Sequence, residues 1–481
     1  MTAQSRRSRM SSASRRETGF SFLTSAMAWF MILVIVIPGN LDYSGVAQEG
    51  VEGNPVTRAL WFAIFGVGVI IVLMQMSQVP RLLRQLNVFY LLFLALAVAS
   101  LAWSIDRELT GRKLVRMIMM CSAFLAIAIA AWHPRRFQEA IRPVVTAVVF
   151  ASIVFALARP DLALHHELNA ELINAWHGVC LTKNQLGSVA SFAFILWTHA
   201  LLAKEPGRVK AFIGASAAML CLIMSRSETS TIASVLAAIA MVLMTRTPGS
   251  MRRQMPFLTT GLVMLILLYS VAMLNVVPGL QILLAPIPMI TGKDLTFSNR
   301  AQIWAVVVEH IRYRPLLGSG YGAFWLTNAP TPDKESYFVI QRLSGFYPGS
   351  SHNGYLQILN DLGAVGLIFL LGYVMVFLRQ SVRLYATDRT QGALFVGLLL
   401  QQATLNLQEP NWLNAIIVDF VPMSIATTCL ARALLEAKSR TNPTGQGMAR
   451  GARWLPRPPA LQRRRLIRPA SSPLRPDSGR R

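Results

Sequence analysis

Residues 350–371, SSHNGYLQILNDLGAVGLIFLL, begin with the composition of a wet turn and end with that of a bilayer core. From Ala364 to Leu371 there is no charged or polar side chain, and the apolar run continues to residue 378. The first half is different. Asn353, Gln357, Asn360 and Asp361 recur at i, i+4 and i+7 or i+8, so one face of a helix is polar. Hydrocarbon does not accommodate such a stripe, which must face a water-filled cavity or other helices. The next apolar run also has a polar end, at Gln402, Asn406 and Glu409. Together they predict a water-filled pocket, with His352 at its rim.

The rest of the chain sets that helix in a membrane. Of 481 residues, 53% are hydrophobic, more than a water-soluble fold of this length buries. A bilayer core of ~30 Å takes ~17–25 apolar residues per helix, so runs of that size are the candidate spans. Twelve lie near residues 21–37, 58–76, 86–103, 114–131, 139–158, 186–203, 209–224, 230–245, 257–275, 355–378, 391–408 and 412–431. The first follows a basic N-terminus but ends in VIVIPGN, without a small-x-small cleavage pattern, and reads as a retained helix. The expected fold is an all-α polytopic membrane protein of about twelve transmembrane helices. Its expected parts are a basic cytoplasmic N-terminus (1–20), helices one to nine (21–275), a large helical outer loop (276–354), helices ten to twelve (355–431) and a disordered basic tail (432–481).

A net charge of +24 would suggest nucleic acid in a soluble protein. With twelve helices and both termini inside, however, 32 of the 46 Lys and Arg fall on the inner side and 13 on the outer. The basicity then needs no nucleic acid, and anionic lipid is the expected contact of the tail. Four cysteines are too few for a disulfide framework, and Cys121, Cys221 and Cys429 lie in apolar runs. A second outer segment, residues 159–184, alternates polar and apolar residues at helical spacing and is expected to lie along the membrane surface.

Four basic side chains are expected near the outer membrane plane: Arg116 at the start of helix four, Lys183 beside Asn184 at the start of helix six, Arg226 after helix seven, and Arg300 in the loop. Arg300 heads the apolar stripe Ile303, Trp304, Val307, Ile311, where exposed N–H groups of a helix start would reinforce an anion site. An arginine that snorkels to water or pairs with a loop carboxylate fits the same spacing. Few carboxylates accompany these cations, there is no Asp-x-Asp pair, and no His and acid cluster has metal-ligand spacing. A phosphate-bearing substrate suits them better than a metal. The glycines of GSGYG, residues 318–322, follow no strand and read as turn glycines. An imidazole such as His352 can take a proton from a hydroxyl near neutral pH. Twelve helices also suit a secondary transporter, but the runs contain only Asp361 and Asp419 as internal acids.

Four stretches in order carry a resemblance: GVCLTKNQLGS (178–188), IMSRSETS (223–230), NRAQIWAVVVEHIRYRPLLGSGYGAF (299–324) and SHNGYLQILNDLGAVGL (351–367). Over roughly residues 100–430 the chain resembles the O-antigen ligase and polymerase (Wzy-type) superfamily, most closely its ExoQ-like exopolysaccharide polymerase branch. The resemblance implies a metal-independent inverting glycosyltransferase of the C-type membrane fold, without cofactor, in the bacterial inner membrane. It implies a donor of undecaprenyl-pyrophosphate-linked oligosaccharide. A chain-length regulator and other polysaccharide assembly proteins are the implied partners. His352 looks like the base, and Arg226 and Arg300 look like pyrophosphate ligands. Arg116, Lys183, Asn184 and Asn353 complete the candidate substrate-binding set. Asn299 stands where the family commonly has glycine, and Glu228 where a Lys or Arg is frequent in the polymerase branch. Ligation of finished glycan to a lipid or protein uses the same leaving group, and a lipid-linked sugar flippase is the alternative from another class.

Overall fold

A computed structural model describes residues 3–38, 55–165, 173–273, 300–325 and 349–441. The expected tail beyond 441 and the loop parts 274–299 and 326–348 lie outside the described residues.

The described chain is helical, and its one β-interaction is an isolated bridge between Leu164 and Trp176. The helices are α1 Ala3–Val36, α2 Pro55–Met74, α3 Val79–Gln85, α4 Val88–Ala99, α5 Arg107–Ile129, α6 Arg136–Ala158, α7 Lys183–Leu202, α8 Arg208–Met224, α9 Glu228–Arg246, α10 Met255–Met273, α11 Arg300–Tyr313, α12 Gly354–Thr387, α13 Arg389–Leu405 and α14 Phe420–Thr441. Each of the twelve apolar runs overlaps a helix. Eight helices among the described residues are long and apolar enough to cross a bilayer, or nine if α3 and α4, bent by 103°, form one span. The difference from twelve has local causes. Helices α8 and α13 have 17 residues each, and α5 carries Arg107, Glu108, Arg112, Lys113 and Arg116 in its first half.

Two expectations on element boundaries are corrected. The last run was placed at 412–431, but the helix begins at Phe420, because residues 406–419 form turns pinned by polar side chains. Asn406 accepts from the Trp412 amide at 2.6 Å, and Gln402 donates to Asp419 at 2.5 Å. Residues 173–182, expected to be helical, instead form turns beside the Leu164–Trp176 bridge.

Packing links α9 with α13, α7 with α8, α12 with α13 and α2 with α5. Hydrogen bonds between connecting segments separate two ends of the bundle. At one end Gln380 donates to the Gln85 carbonyl and Arg389 to the carbonyls of Met244 and Thr245. At the other, the loop end, Trp103 donates to the Leu317 carbonyl and Gln185 to that of Ile35. All candidate site residues except Arg116 belong to turns or helix termini of the loop end.

Candidate active site at the loop end

The opening stretch folds around a break. Helix α12 is interrupted at Gly363, whose φ of 64° and ψ of −165° take it out of the helical region. An interrupted helix leaves amides and carbonyls that need partners in a low-dielectric surrounding. The loop after α11 supplies them. Ala364 N donates to the Pro315 carbonyl at 2.8 Å and Val365 N to that of Leu316 at 3.2 Å. In return Ser319 N and Gly320 N donate to the carbonyls of Asn360 and Asp361 at 3.0 and 2.9 Å.

This contact explains the glycines of residues 318–322. Gly318, Gly320 and Gly322 have φ of 67°, 104° and 64°, and a Cβ on them would meet Asp361, Ser104 and Lys113 at 2.5–2.6 Å. They are turn glycines as expected, pressed between α5 and the first turns of α12.

The polar stripe therefore faces protein. Gln357 accepts from Trp325 Nε1 at 2.8 Å and from Ser351 N at 3.1 Å, and it donates to Asp361 at 3.0 Å. Asp361 also accepts from Gly322 N at 3.1 Å. Asn353 caps α12, accepting from the Tyr355 and Leu356 amides and donating to the Leu407 carbonyl at 3.0 Å. All four stripe residues are buried. The expected water-filled pocket along this face is thus replaced by a seam that docks the glycine-rich turn. Asn360 alone has a side-chain amide with no hydrogen-bond partner among the described residues.

His352 sits in the turn before α12 with a left-handed φ of 47°. That turn is clamped on both sides: Ser351 Oγ donates to the Asn353 carbonyl at 2.8 Å, and Trp304 of α11 donates to the Ser351 carbonyl at 2.8 Å. Outside glycine such a backbone costs on the order of 1–3 kcal/mol and persists only where the surroundings enforce it. Arg226, at φ 50°, is a second such residue.

The turn after α13 joins the candidates. Gly354 N donates to the Asn406 carbonyl at 2.9 Å, so residues 406–407 touch the His352 turn directly. The next two residues reach the cations. Arg300 donates to Gln408 Oε1 at 3.2 Å and to Glu409 Oε1 at 3.4 Å, and Asn184 donates to the same Glu409 oxygen at 2.7 Å. Lys183 is near enough for its charge to act on Glu409. Thr229, three residues from Arg226, donates to Gln408 at 2.6 Å. Burial pushes Glu409 up to about 7, Asp419 adds to the rise, and Arg300 and Lys183 oppose it.

The structure thus brings Arg300, Lys183 and Asn184 together at residues 408–409, with the His352 turn adjoining. Arg226 is exposed at the neighbouring α8–α9 turn. Arg116 is elsewhere. It is the tenth residue of α5, not its start, about 14 Å along the axis. It lies over the Trp61 ring and acts on buried Tyr321 of the glycine-rich turn. The spacing missed Glu409 and Gln408 as partners of Arg300; a turn carboxylate opposite an arginine 109 residues away leaves no periodic signal.

Residues 212–371 match the family described as O-Antigen ligase. The chain is also 27% identical over 225 residues to the exopolysaccharide production protein ExoQ of Rhizobium meliloti (strain 1021). That match covers 44% of this chain and 48% of the relative, about half of each. The family region runs from α8 into α12 and includes Arg226, Arg300 and His352, while Lys183, Asn184 and Glu409 lie outside it. Over that region the chain is thus similar to the O-antigen ligase family, and over about half its length to an exopolysaccharide production protein of the ExoQ kind.

Proposed function

We propose that this protein polymerises oligosaccharide repeat units carried on undecaprenyl pyrophosphate into exopolysaccharide, at the outer face of the bacterial inner membrane. The observation that carries the reading is the meeting of Arg300, Lys183 and Asn184 at one turn, with the strained His352 turn hydrogen-bonded to the same segment. In the proposed reaction His352 accepts the proton of an acceptor sugar hydroxyl, whose oxygen attacks the anomeric carbon of the donor. The bond from that carbon to the diphosphate breaks with inversion, and undecaprenyl pyrophosphate leaves. Guanidinium groups match phosphate oxygens in pairs, and one donor fixed against a developing charge is worth roughly 3 kcal/mol. Arg300 and Arg226 take that role, Lys183 and Asn184 add donors, and Asn353 holds the His352 turn through its cap. Arg116 supports the glycine-rich turn.

The positive-inside bias of the sequence supports an orientation with the loop end outside and both termini in the cytoplasm. A chain-length regulator and other assembly proteins are proposed partners on the same side, and no metal is needed by this scheme. Transfer of finished glycan to a lipid or protein acceptor is the second reading, favoured by the O-Antigen ligase description of residues 212–371.

The test replaces His352 with asparagine, which tolerates the left-handed backbone. In cells lacking the wild-type chain, H352N is expected to reach normal membrane levels, make no polymer and accumulate lipid-linked repeats. Normal polymer yield and length would remove His352 from the chemistry.

A further inference from the structure

One carboxylate oxygen collects the donors that the proposed reaction assigns to the diphosphate. Glu409 Oε1 accepts from Asn184 Nδ2 at 2.7 Å and from Arg300 Nη2 at 3.4 Å, within reach of the Lys183 charge. Those are the ligands a phosphate oxygen would take at this place. The backbone beneath Glu409 is fixed: its amide donates to the Leu405 carbonyl at 3.0 Å, and the carbonyls of Asn406 and Leu407 are held by Gly354 and Asn353. Only the side chain can move without disturbing the His352 turn. Arg300 keeps a second tie at Gln408, which Thr229 orients, so the guanidinium stays in place when Glu409 leaves.

We infer that, before the donor binds, Glu409 holds the diphosphate subsite as an internal anion, and that it yields Arg300, Lys183 and Asn184 to the donor on binding. Glu409 is a positioning residue in this scheme: it keeps the cations gathered in the absence of substrate and sets the proton stoichiometry of binding. The inference rests on the proposed function. The charged groups facing Glu409 are Arg300 from α11, Lys183 from α7 and Asp419 at the foot of α14, with His352 on the adjoining turn. Once the diphosphate takes the two cations, Glu409 is left largely buried beside Asp419 and an anionic ligand. All three push it towards the protonated form. Donor binding therefore takes up a proton at Glu409.

The sign follows. Below pH 7 the carboxyl is already neutral and does not compete; above pH 7 the donor must work against the Arg300–Glu409 pair. Apparent affinity is then expected to fall by up to about tenfold per pH unit above 7.

The test is calorimetric titration of the full-length purified chain with farnesyl diphosphate, in two buffers of different ionisation enthalpy, for wild type and E409Q. Wild type is expected to take up roughly half a proton more than E409Q at pH 7. E409Q is expected to bind about tenfold more tightly than wild type at pH 8 and equally at pH 6. Equal proton uptake, or weaker binding by E409Q at both pH values, overturns the inference and leaves the proposed function standing. The wild-type proton count needs no variant and decides the matter even if E409Q does not fold. Absence of any binding that Arg300→Ala abolishes overturns the diphosphate site itself, and the inference with it.

Discussion

His352 and Arg226 share a feature that spacing does not reveal, a left-handed backbone on a side chain with a Cβ. For His352 the cause is visible, because Ser351 bonds forward to the Asn353 carbonyl while Trp304 and Gln357 hold it from outside. The turn is therefore assembled from α11, α12 and the residues between, and its imidazole is presented by structure far away in sequence. At this scale the sequence was legible where a residue acts through near neighbours. Arg300 does begin α11, and Ile303, Trp304 and Val307 are buried as its stripe foretold. Asn353 was legible as polar and special, but its work is capping and tying α12 to Leu407, which only the fold exposes. In the sequence Glu409 is one more polar residue at a helix end. Its bond to Arg300 depends on a tertiary pairing across 109 residues.

The helices were the most legible elements, since lipid forces long apolar runs into that form. The break in α12 was not. A glycine in the run DLGAVG fits a packing contact as well as a kink, and the choice depends on whether another segment can bond the freed backbone groups. Here residues 315–320 do so. A Cβ at Gly363 would lie 2.2 Å from the Leu316 carbonyl carbon, on a backbone with φ of 64°. Gly363→Ala is accordingly expected to destabilise the protein by roughly 2–4 kcal/mol, from backbone strain and displacement of the docked turn. Thermal melts in detergent check this, with Gly261→Ala in α10 as control, since nothing lies within 4 Å of its added methyl. An unchanged melt for Gly363→Ala would mean that the break is not held by the loop.

Over the whole molecule, a bundle of multiple spans carries its candidate chemistry at one end, where α7, α9, α11, α12 and α13 meet in turns. In the proposed orientation, which the charge asymmetry of the sequence supports, that end lies outside. The native cysteines make this testable, for Cys180, Cys221 and Cys429 are buried and Cys121 is half-buried. Single cysteines at exposed Arg312, on the loop end, and exposed Arg253, on the opposite end, are the probes. An impermeant thiol reagent added to intact spheroplasts is expected to label position 312 and to reach 253 only after permeabilisation. Reversed labelling would turn the orientation over and remove the site from the outer face.

The central claim is that the cations hold a diphosphate while His352 strips a hydroxyl proton. Its most direct test is steady-state turnover of a purified lipid-linked repeat donor by wild type, H352N and Arg300→Ala. The expected split is a kcat lowered by about 10²–10⁴ with little change in KM for H352N, as for a lost general base. For Arg300→Ala, both lower kcat and higher KM are expected. An H352N protein that polymerises at the wild-type kcat would contradict the account.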